Sequence, residues 1–189
     1  MRKIAVVLAR AGSKRLPHKN RLHICGKMLF EYSIDEAIKS EVFTHILVST
    51  DDSKIAYRCK VKYSENVWLI KRPLYLANDT APSEEAVLHA TNGYNAEDWI
   101  MLLQPTSVLR KAEDIITAEK MRIEFNQSVV SVDAATGKYN GAIYYMSLDE
   151  LLKKRKYNCD AVYEMPHNRS VDIDDEHDFK KAKEVLEGL

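Results

Sequence analysis

Seven short apolar runs alternate along this chain with six stretches of helical periodicity, and that alternation restricts the fold more than any other feature. The runs are Ile4–Ala9, Ile46–Thr50, Val67–Ile70, Trp99–Leu103, Ser128–Val132, Gly141–Met146 and Ala161–Met165. They are short and rich in β-branched or aromatic residues, as strands buried on both faces should be. Between them, Met28–Lys39 places Leu29, Phe30, Ile34, Ala37 and Ile38 on one helical face. Further helices are expected from Ser53 to about Val61, Ser83 to Thr91, Lys111 to Ile123, Leu148 to Lys156 and Asp175 to Leu186. Asp51-Asp52-Ser53 offers a cap for the second, and Ser83 with Glu84-Glu85 suits the dipole of the third. Strands alternating with helices predict an α/β fold with a mainly parallel sheet covered on both faces, Trp99–Leu103 being the central strand. Ligands of such sheets sit outside the carboxyl ends of the strands, so the residues following each strand are the place to look for chemistry.

The whole-chain properties narrow the field. At 189 residues, one domain spanning 1–189 is the simplest expectation. Lysine plus arginine equals aspartate plus glutamate at 28 each, so no global field draws the chain to nucleic acid or an anionic membrane. No apolar run approaches membrane-spanning length and no signal segment opens the chain, which predicts a cytoplasmic protein. Cys25, Cys59 and Cys159 are odd in number and widely spaced, fitting reduced thiols rather than a disulfide framework or a zinc site. His18, His23, His45, His89, His167 and His177 show no metal-ligand spacing.

The first strand opens into Arg10-Ala-Gly-Ser-Lys-Arg-Leu-Pro-His-Lys-Asn-Arg21. Gly12 and Ser13 permit a tight turn whose N–H groups can cradle an anion, while Arg10, Lys14, Arg15, Lys19 and Arg21 supply positive charge. A triphosphate site and an ordinary solvated basic loop read equally well from charge alone. Neither the P-loop spacing nor the three-glycine dinucleotide fingerprint is present. After the fourth strand, Gln104-Pro-Thr-Ser107 reads as a site segment or as a plain turn with a proline kink. Near the C-terminus Ser170-Val-Asp-Ile-Asp174 would present Asp172 and Asp174 on one face of an extended segment. The pair suits a divalent cation; equally, Asp174 or Asp175 is simply the cap of the last helix.

Taken together, these segments resemble the acylneuraminate cytidylyltransferase family, whose members are CMP-sialic acid synthetase-like and related to CMP-Kdo synthetases. Leu8-Ala9-Arg10, Ser13-Lys14, Leu16-Pro17 and Lys19-Asn20 match the family's opening signature. Leu102-Leu-Gln-Pro-Thr-Ser-Val-Leu-Arg110, Arg72-Pro73 with Leu76-Ala-Asn-Asp-Thr-Ala81 and Ser83, and Asn140-Gly-Ala-Ile-Tyr144 match three others. The resemblance implies a three-layer Rossmann-like nucleotide-diphospho-sugar transferase (GT-A-like) fold. It implies a Mg²⁺-dependent enzyme that joins CMP from CTP to an acidic 2-keto sugar of the sialic, legionaminic or pseudaminic type and releases pyrophosphate. Transfer of another nucleotide, transfer to another sugar such as Kdo, and binding without turnover are the alternatives.

By the same resemblance Arg10 and Lys19, with the Gly12–Ser13 backbone and Lys14, would hold the triphosphate; Asn20 would contact the nucleotide and Ala9 would belong to the substrate-binding set. Arg72, Ser83 and the Ala81 carbonyl would read cytosine, an ordinary helix cap being the other reading of Ser83. Gln104 and Asn140 would line the substrate site, and Asp172 and Asp174 would bind the metal. One part of the pattern is shortened. Only Asp133 to Tyr139 stands where relatives place an insertion of several tens of residues that builds their dimer interface and reaches the sugar. Seven residues allow a hairpin or crossover turn but no arm, so a homodimer would not form by the family's usual insertion. The family's arginine just before Asn140 is missing, Lys138 being the nearest cation.

Overall fold

The computed structural model describes residues 1–188; position 189 lies outside them. Seven strands form one sheet: β1 (Lys3–Leu8), β4 (His45–Thr50), β5 (Val67–Lys71), β6 (Trp99–Leu102), β7 (Val129–Asp133), β8 (Tyr139–Ser147) and β9 (Ala161–Met165). Their order across the sheet is β5-β4-β1-β6-β8-β7-β9. β6 lies fourth of the seven, the central place its apolar sequence predicts. Two further strands, β2 (His23–Ile24) and β3 (Lys27–Met28), pair as a small separate hairpin. They are too short to carry a periodic signal in the sequence.

β1 pairs in parallel with β4 and β6, β4 with β5, and β7 with β9. Only β8 runs against its neighbours, antiparallel to both β6 and β7. The reason is local. The β7–β8 connection is a tight turn closed by the Asp133 N–H on the Lys138 carbonyl at 2.8 Å, with Gly137 at φ +67°. A link this short can only reverse the chain.

The period of two along β1 distributes its side chains between two cores. Ala5 and Val7 face α1 (Leu29–Ser40), α2 (Ser53–Lys62) and α4 (Ala112–Phe125) through Ile34, Ile55 and Ile115. Ile4 and Val6 face α3 (Ser83–Ala90) and α5 (Leu148–Lys154) through Val87 and Leu151. Both faces of the sheet are thereby covered. The last helix, α6 (Glu176–Glu187), joins the β2–β3 hairpin around a third cluster that includes Ile24, Leu109, Ile173 and Ala182. Among the described residues no helix is long and apolar enough to cross a membrane.

From β1 the chain winds outward through β4 to β5, then returns through α3 to β6 on the opposite side of β1. The connections after β1 and β6 therefore diverge. A crevice is left at the carboxyl ends of these two strands, where open α/β sheets bind their ligands.

Candidate active site

A cavity of about 530 Å³ fills that crevice. Its lining comes from five separated segments: Arg10, Gly12, Ser13, Lys14 and Arg15 after β1, the turn holding Lys19 and Asn20, the stretch from Arg72 to Ser83 after β5, Gln104 to Thr106 after β6, and Asp174 before α6. Eleven of the fourteen residues that the sequence marks as site candidates thus meet in one place.

The floor is fixed by hydrogen bonds that leave little slack. The Thr50 hydroxyl donates to the Ala9 carbonyl at 2.5 Å, the Ala11 N–H donates to Asp51 at 2.8 Å, and Asn20 Nδ2 donates to the Arg10 carbonyl at 2.9 Å. The basic loop is therefore tied at both ends while its middle faces the cavity. Its N–H groups at Gly12, Ser13, Lys14 and Arg15 have no protein acceptor among the described residues. Gly12 does not adopt a left-handed conformation and open space surrounds its Cβ position, so the turn does not depend on glycine's freedom there. The left-handed residue is His18, at φ 54°, which starts the turn Lys19–Arg21. Arg21 leaves the cluster for Asp52, at 3.2 Å, whose other oxygen caps α2.

The cations of the cavity do not stand free. Asp79 bridges two of them, with one oxygen 2.7 Å from Arg10 Nη2 and the other 3.2 Å from Lys14. Hydrogen bonds from Lys14 and Arg10 hold the Asp79 carboxyl below the ordinary carboxylate range. Asp174 does the same between Arg15, at 2.9 Å, and Lys19, at 3.3 Å, and Lys19 also donates to the Ile173 carbonyl at 2.7 Å. Arg72 is buried, donating from Nε to the Ser49 hydroxyl at 3.1 Å and from Nη2 to the Ser49 carbonyl at 2.9 Å. Its Nη1 has no protein partner among the described residues. Burial draws its pKa down to about 10, with nearby Arg10 adding to this and Asp51 opposing it, so it stays charged at neutrality.

Gln104 is held from behind by Arg110, which is 1 % exposed. Its guanidinium donates to the Ala142 carbonyl at 2.7 Å and to the Ser33 hydroxyl at 2.6 Å, and Ser33 donates in turn to the Gln104 carbonyl at 3.0 Å. At the far end, Gly141 sits at φ +70°, where an added Cβ would lie 3.4 Å from both Asp172 Oδ2 and Gln104 Nε2. The left-handed φ favours glycine here, while the two side chains approach β8 at ordinary contact distance. Asp172 Oδ1 is buried without a hydrogen-bond partner. Burial pushes the Asp172 carboxyl above its ordinary pKa and Asp174 adds to this, while Thr106 and Lys19 pull the other way.

Three candidates lie off the cavity wall. Asn140, 6 % exposed, spends its amide on neighbours: Oδ1 accepts from Ser131 Oγ at 2.6 Å, and Nδ2 donates to Ser170 Oγ at 3.1 Å. Ala9 is buried beneath the loop, and Asp172, outside the lining, meets Gln104 next to Gly141. The cap of α6 is Asp175, which accepts the Asp178 N–H at 3.0 Å, so neither Asp172 nor Asp174 serves as that cap. Nor is Ser83 a cap: α3 begins at Ser83 behind Pro82, and its hydroxyl stays at the cavity. Asp79, Arg110 and Gly141 are the contributors that the sequence did not single out. All three lie within matched segments, but the contacts that give them a role are made mostly to residues remote along the chain, such as Ser33 and Ala142 for Arg110 and Arg10 and Lys14 for Asp79.

The fold is that of nucleotidyltransferases. The structure of a CMP:2-keto-3-deoxy-manno-octonic acid synthetase complexed with CTP superposes with TM-score 0.76 at 15 % identity, covering 100 % of this chain and 99 % of that one. A cytidylyltransferase from Leptospira borgpetersenii superposes with TM-score 0.74 at 17 % identity, covering 100 % and 88 %. The sequence then fixes the family. Residues 4–179 match the cytidylyltransferase family model, and the chain belongs to that family. It is 32 % identical to the N-acylneuraminate cytidylyltransferase of Escherichia coli over 95 % of this chain, while spanning 51 % of that protein. It is 30 % identical to the CMP-N,N'-diacetyllegionaminic acid synthase of Legionella pneumophila over 99 % of this chain and 97 % of that one. The latter alignment runs over 228 residues against a chain of 189, so the relative carries segments with no counterpart here.

Proposed function

We propose that this chain transfers CMP from CTP to an acidic 2-keto sugar of the nonulosonic class, releasing pyrophosphate. The observation that carries the reading is the meeting, in one crevice, of a cationic loop, a buried arginine and a carboxylate. Arg10, Lys14, Lys19 and the unsatisfied N–H groups of Gly12 and Ser13 suit a triphosphate. Arg72 Nη1, Ser83 and the Ala81 carbonyl supply donors and an acceptor, matching the carbonyl, ring nitrogen and amino group on the edge of cytosine. The names of the relatives support the acidic-sugar acceptor, since one names N-acylneuraminate and the other N,N'-diacetyllegionaminic acid.

In this scheme the sugar's anomeric oxygen bonds to the α-phosphorus while the bond from that phosphorus to the bridging oxygen breaks in line. The hydroxyl proton passes to solvent and pyrophosphate leaves. The protein's part is placement and charge stabilisation. Arg10 and Lys19 balance the negative charge on the phosphates, Gln104 orients the acceptor, and the Asn20–Arg10 bond keeps the loop in register. A Mg²⁺ ion fits the all-oxygen pair of Asp172 and Asp174, as the orphaned, buried Asp172 Oδ1 supports. Among the described residues no third His, Cys, Asp or Glu joins them, so substrate phosphates and water would complete the coordination. When bound, the ion would offset charge at the α-phosphate. The free thiols of Cys25, Cys59 and Cys159 fit a cytoplasmic setting, where CTP is made.

A thermal-shift panel of nucleotides tests the nucleotide half. CTP is expected to raise the melting temperature more than UTP, GTP or ATP at equal concentration. Preferential stabilisation by one of the others would overturn the assignment of cytosine.

A further inference from the structure

We infer that Asp79 is a built-in competitor for the phosphate-binding cations, released when a polyphosphate arrives and returning when pyrophosphate leaves. The inference rests on the proposed use of this cavity and deepens it. Asp79 lines the cavity with Arg10 and Lys14, and its two oxygens are divided between them at 2.7 and 3.2 Å, one oxygen per cation as a phosphate group would divide its own. The contact is built rather than incidental. Asn78 Oδ1 accepts the N–H groups of Thr80 and Ala81 at 2.9 and 2.8 Å and the Thr80 hydroxyl at 2.9 Å, while Asn78 Nδ2 donates to the Tyr75 carbonyl at 2.9 Å. These bonds close residues 75–81 into a turn that presents Asp79 to the cavity.

A carboxylate in that position repels the ligand that Arg10 and Lys14 suit, so an incoming phosphate must displace it. The observed affinity is lowered by the fraction of molecules in which the two cations are already paired. A group bearing several charges can outcompete Asp79 at both cations at once, whereas a single phosphate ester gains less. After bond transfer the carboxylate is at hand to take back Arg10 and Lys14, which weakens the hold on pyrophosphate. Asp79 also shares its loop with Ala81 and precedes Ser83, so its displacement is felt where the base would sit. The residue thus contributes to specificity for polyphosphate and to product release, acting through the cations.

The test is titration calorimetry of inorganic pyrophosphate, without metal, into the wild-type chain and Asp79→Asn, with CTP titrated in parallel. Asp79→Asn is expected to bind pyrophosphate about threefold to fivefold more tightly, the size of effect that half-exposed ion pairs support. Asp79→Glu, which keeps the charge, should stay near wild type. Glu85→Gln removes an equal charge outside the cavity, where Glu85 pairs with Arg155, and should leave pyrophosphate affinity unchanged. Pyrophosphate binding by Asp79→Asn that is no tighter than wild type would overturn the inference, and so would an equal gain in Glu85→Gln, which would reduce it to net charge. A wild-type chain that binds CTP and pyrophosphate while the variant gains nothing refutes the competitor alone. A wild-type chain that binds neither refutes the proposed function, and the competitor with it.

Discussion

Asp174 joins two roles that a single substitution can separate. Its carboxylate links Arg15 and Lys19 across the cavity mouth, and by the proposed mechanism it also holds the metal with Asp172. Being half-exposed, it contributes little to the fold, so Asp174→Ala should melt within a few degrees of wild type. Pyrophosphate release should fall by about 10²–10³-fold, the scale of losing one electrostatic contact to the reacting group. Initial rates set beside thermal melts check this, and an unimpaired variant would remove Asp174 from the mechanism. Gly141 gives the complementary case. Ala there would be held at φ +70°, at a cost of about 1–2 kcal/mol, with its Cβ in contact with Asp172 and Gln104. Urea unfolding of Gly141→Ala should show that loss. At this scale the sequence marked the cations and the aspartate pair, since clustered charge beside a strand end is visible locally. Asp79 falls inside a matched segment but drew no role, because both cations it pairs with are remote in sequence. Asn140, marked as lining the site, instead joins Ser131 to Ser170, because its register on β8 turns it inward.

The elements around the site are held by a few buried charges, of which Glu31 is the best placed. Fully buried on α1, it accepts the Met28 N–H at 2.8 Å, Arg58 Nε at 3.1 Å, Lys62 Nζ at 2.7 Å and the Tyr63 hydroxyl at 3.3 Å, tying α1 to α2. Burial raises its pKa, but the bonds from Lys62, Met28 and Arg58 outweigh it and the net shift is downward. The sign follows. A carboxyl whose folded pKa is depressed gives its stability in full above the unfolded value, and loses it as pH falls through the folded one. Glu31→Gln should therefore destabilise the fold at neutral pH by about 1–3 kcal/mol, because a fully buried side chain loses its charge-assisted bonds to Arg58 and Lys62. Its deficit against wild type should shrink as the pH is lowered through the acid range below 4. Urea midpoints for both proteins across pH 3–7 measure this, and a deficit independent of pH would contradict it. The helices themselves were legible from the sequence to within a residue or two at most ends, because Asp52, Ser147 and Asp175 cap where such residues do. The β2–β3 hairpin was not, since two-residue strands have no period.

Across the whole molecule, the alternation of runs and helices is enough to derive a mainly parallel sheet, and the return of the chain past β1 locates the crevice. The reversal of β8 follows from the length of the turn at Ala134–Lys138, which is too short for a crossover to a parallel strand. By the family resemblance, that turn stands where an insertion would be expected. Lys138 is exposed on the hairpin, outside the cavity lining, so under the proposed function the acceptor's acidic group would be met by the cations of the crevice instead. Whether a cavity of about 530 Å³ lined this way turns over is the central question. The most direct measurement is pyrophosphate release from CTP and Mg²⁺ with a panel of acidic nine- and eight-carbon 2-keto sugars. Release is predicted with a nine-carbon acid, dependent on both Mg²⁺ and Asp174. Silence across the panel, with CTP still stabilising the protein, would contradict catalysis and leave a chain that binds nucleotide without transferring it.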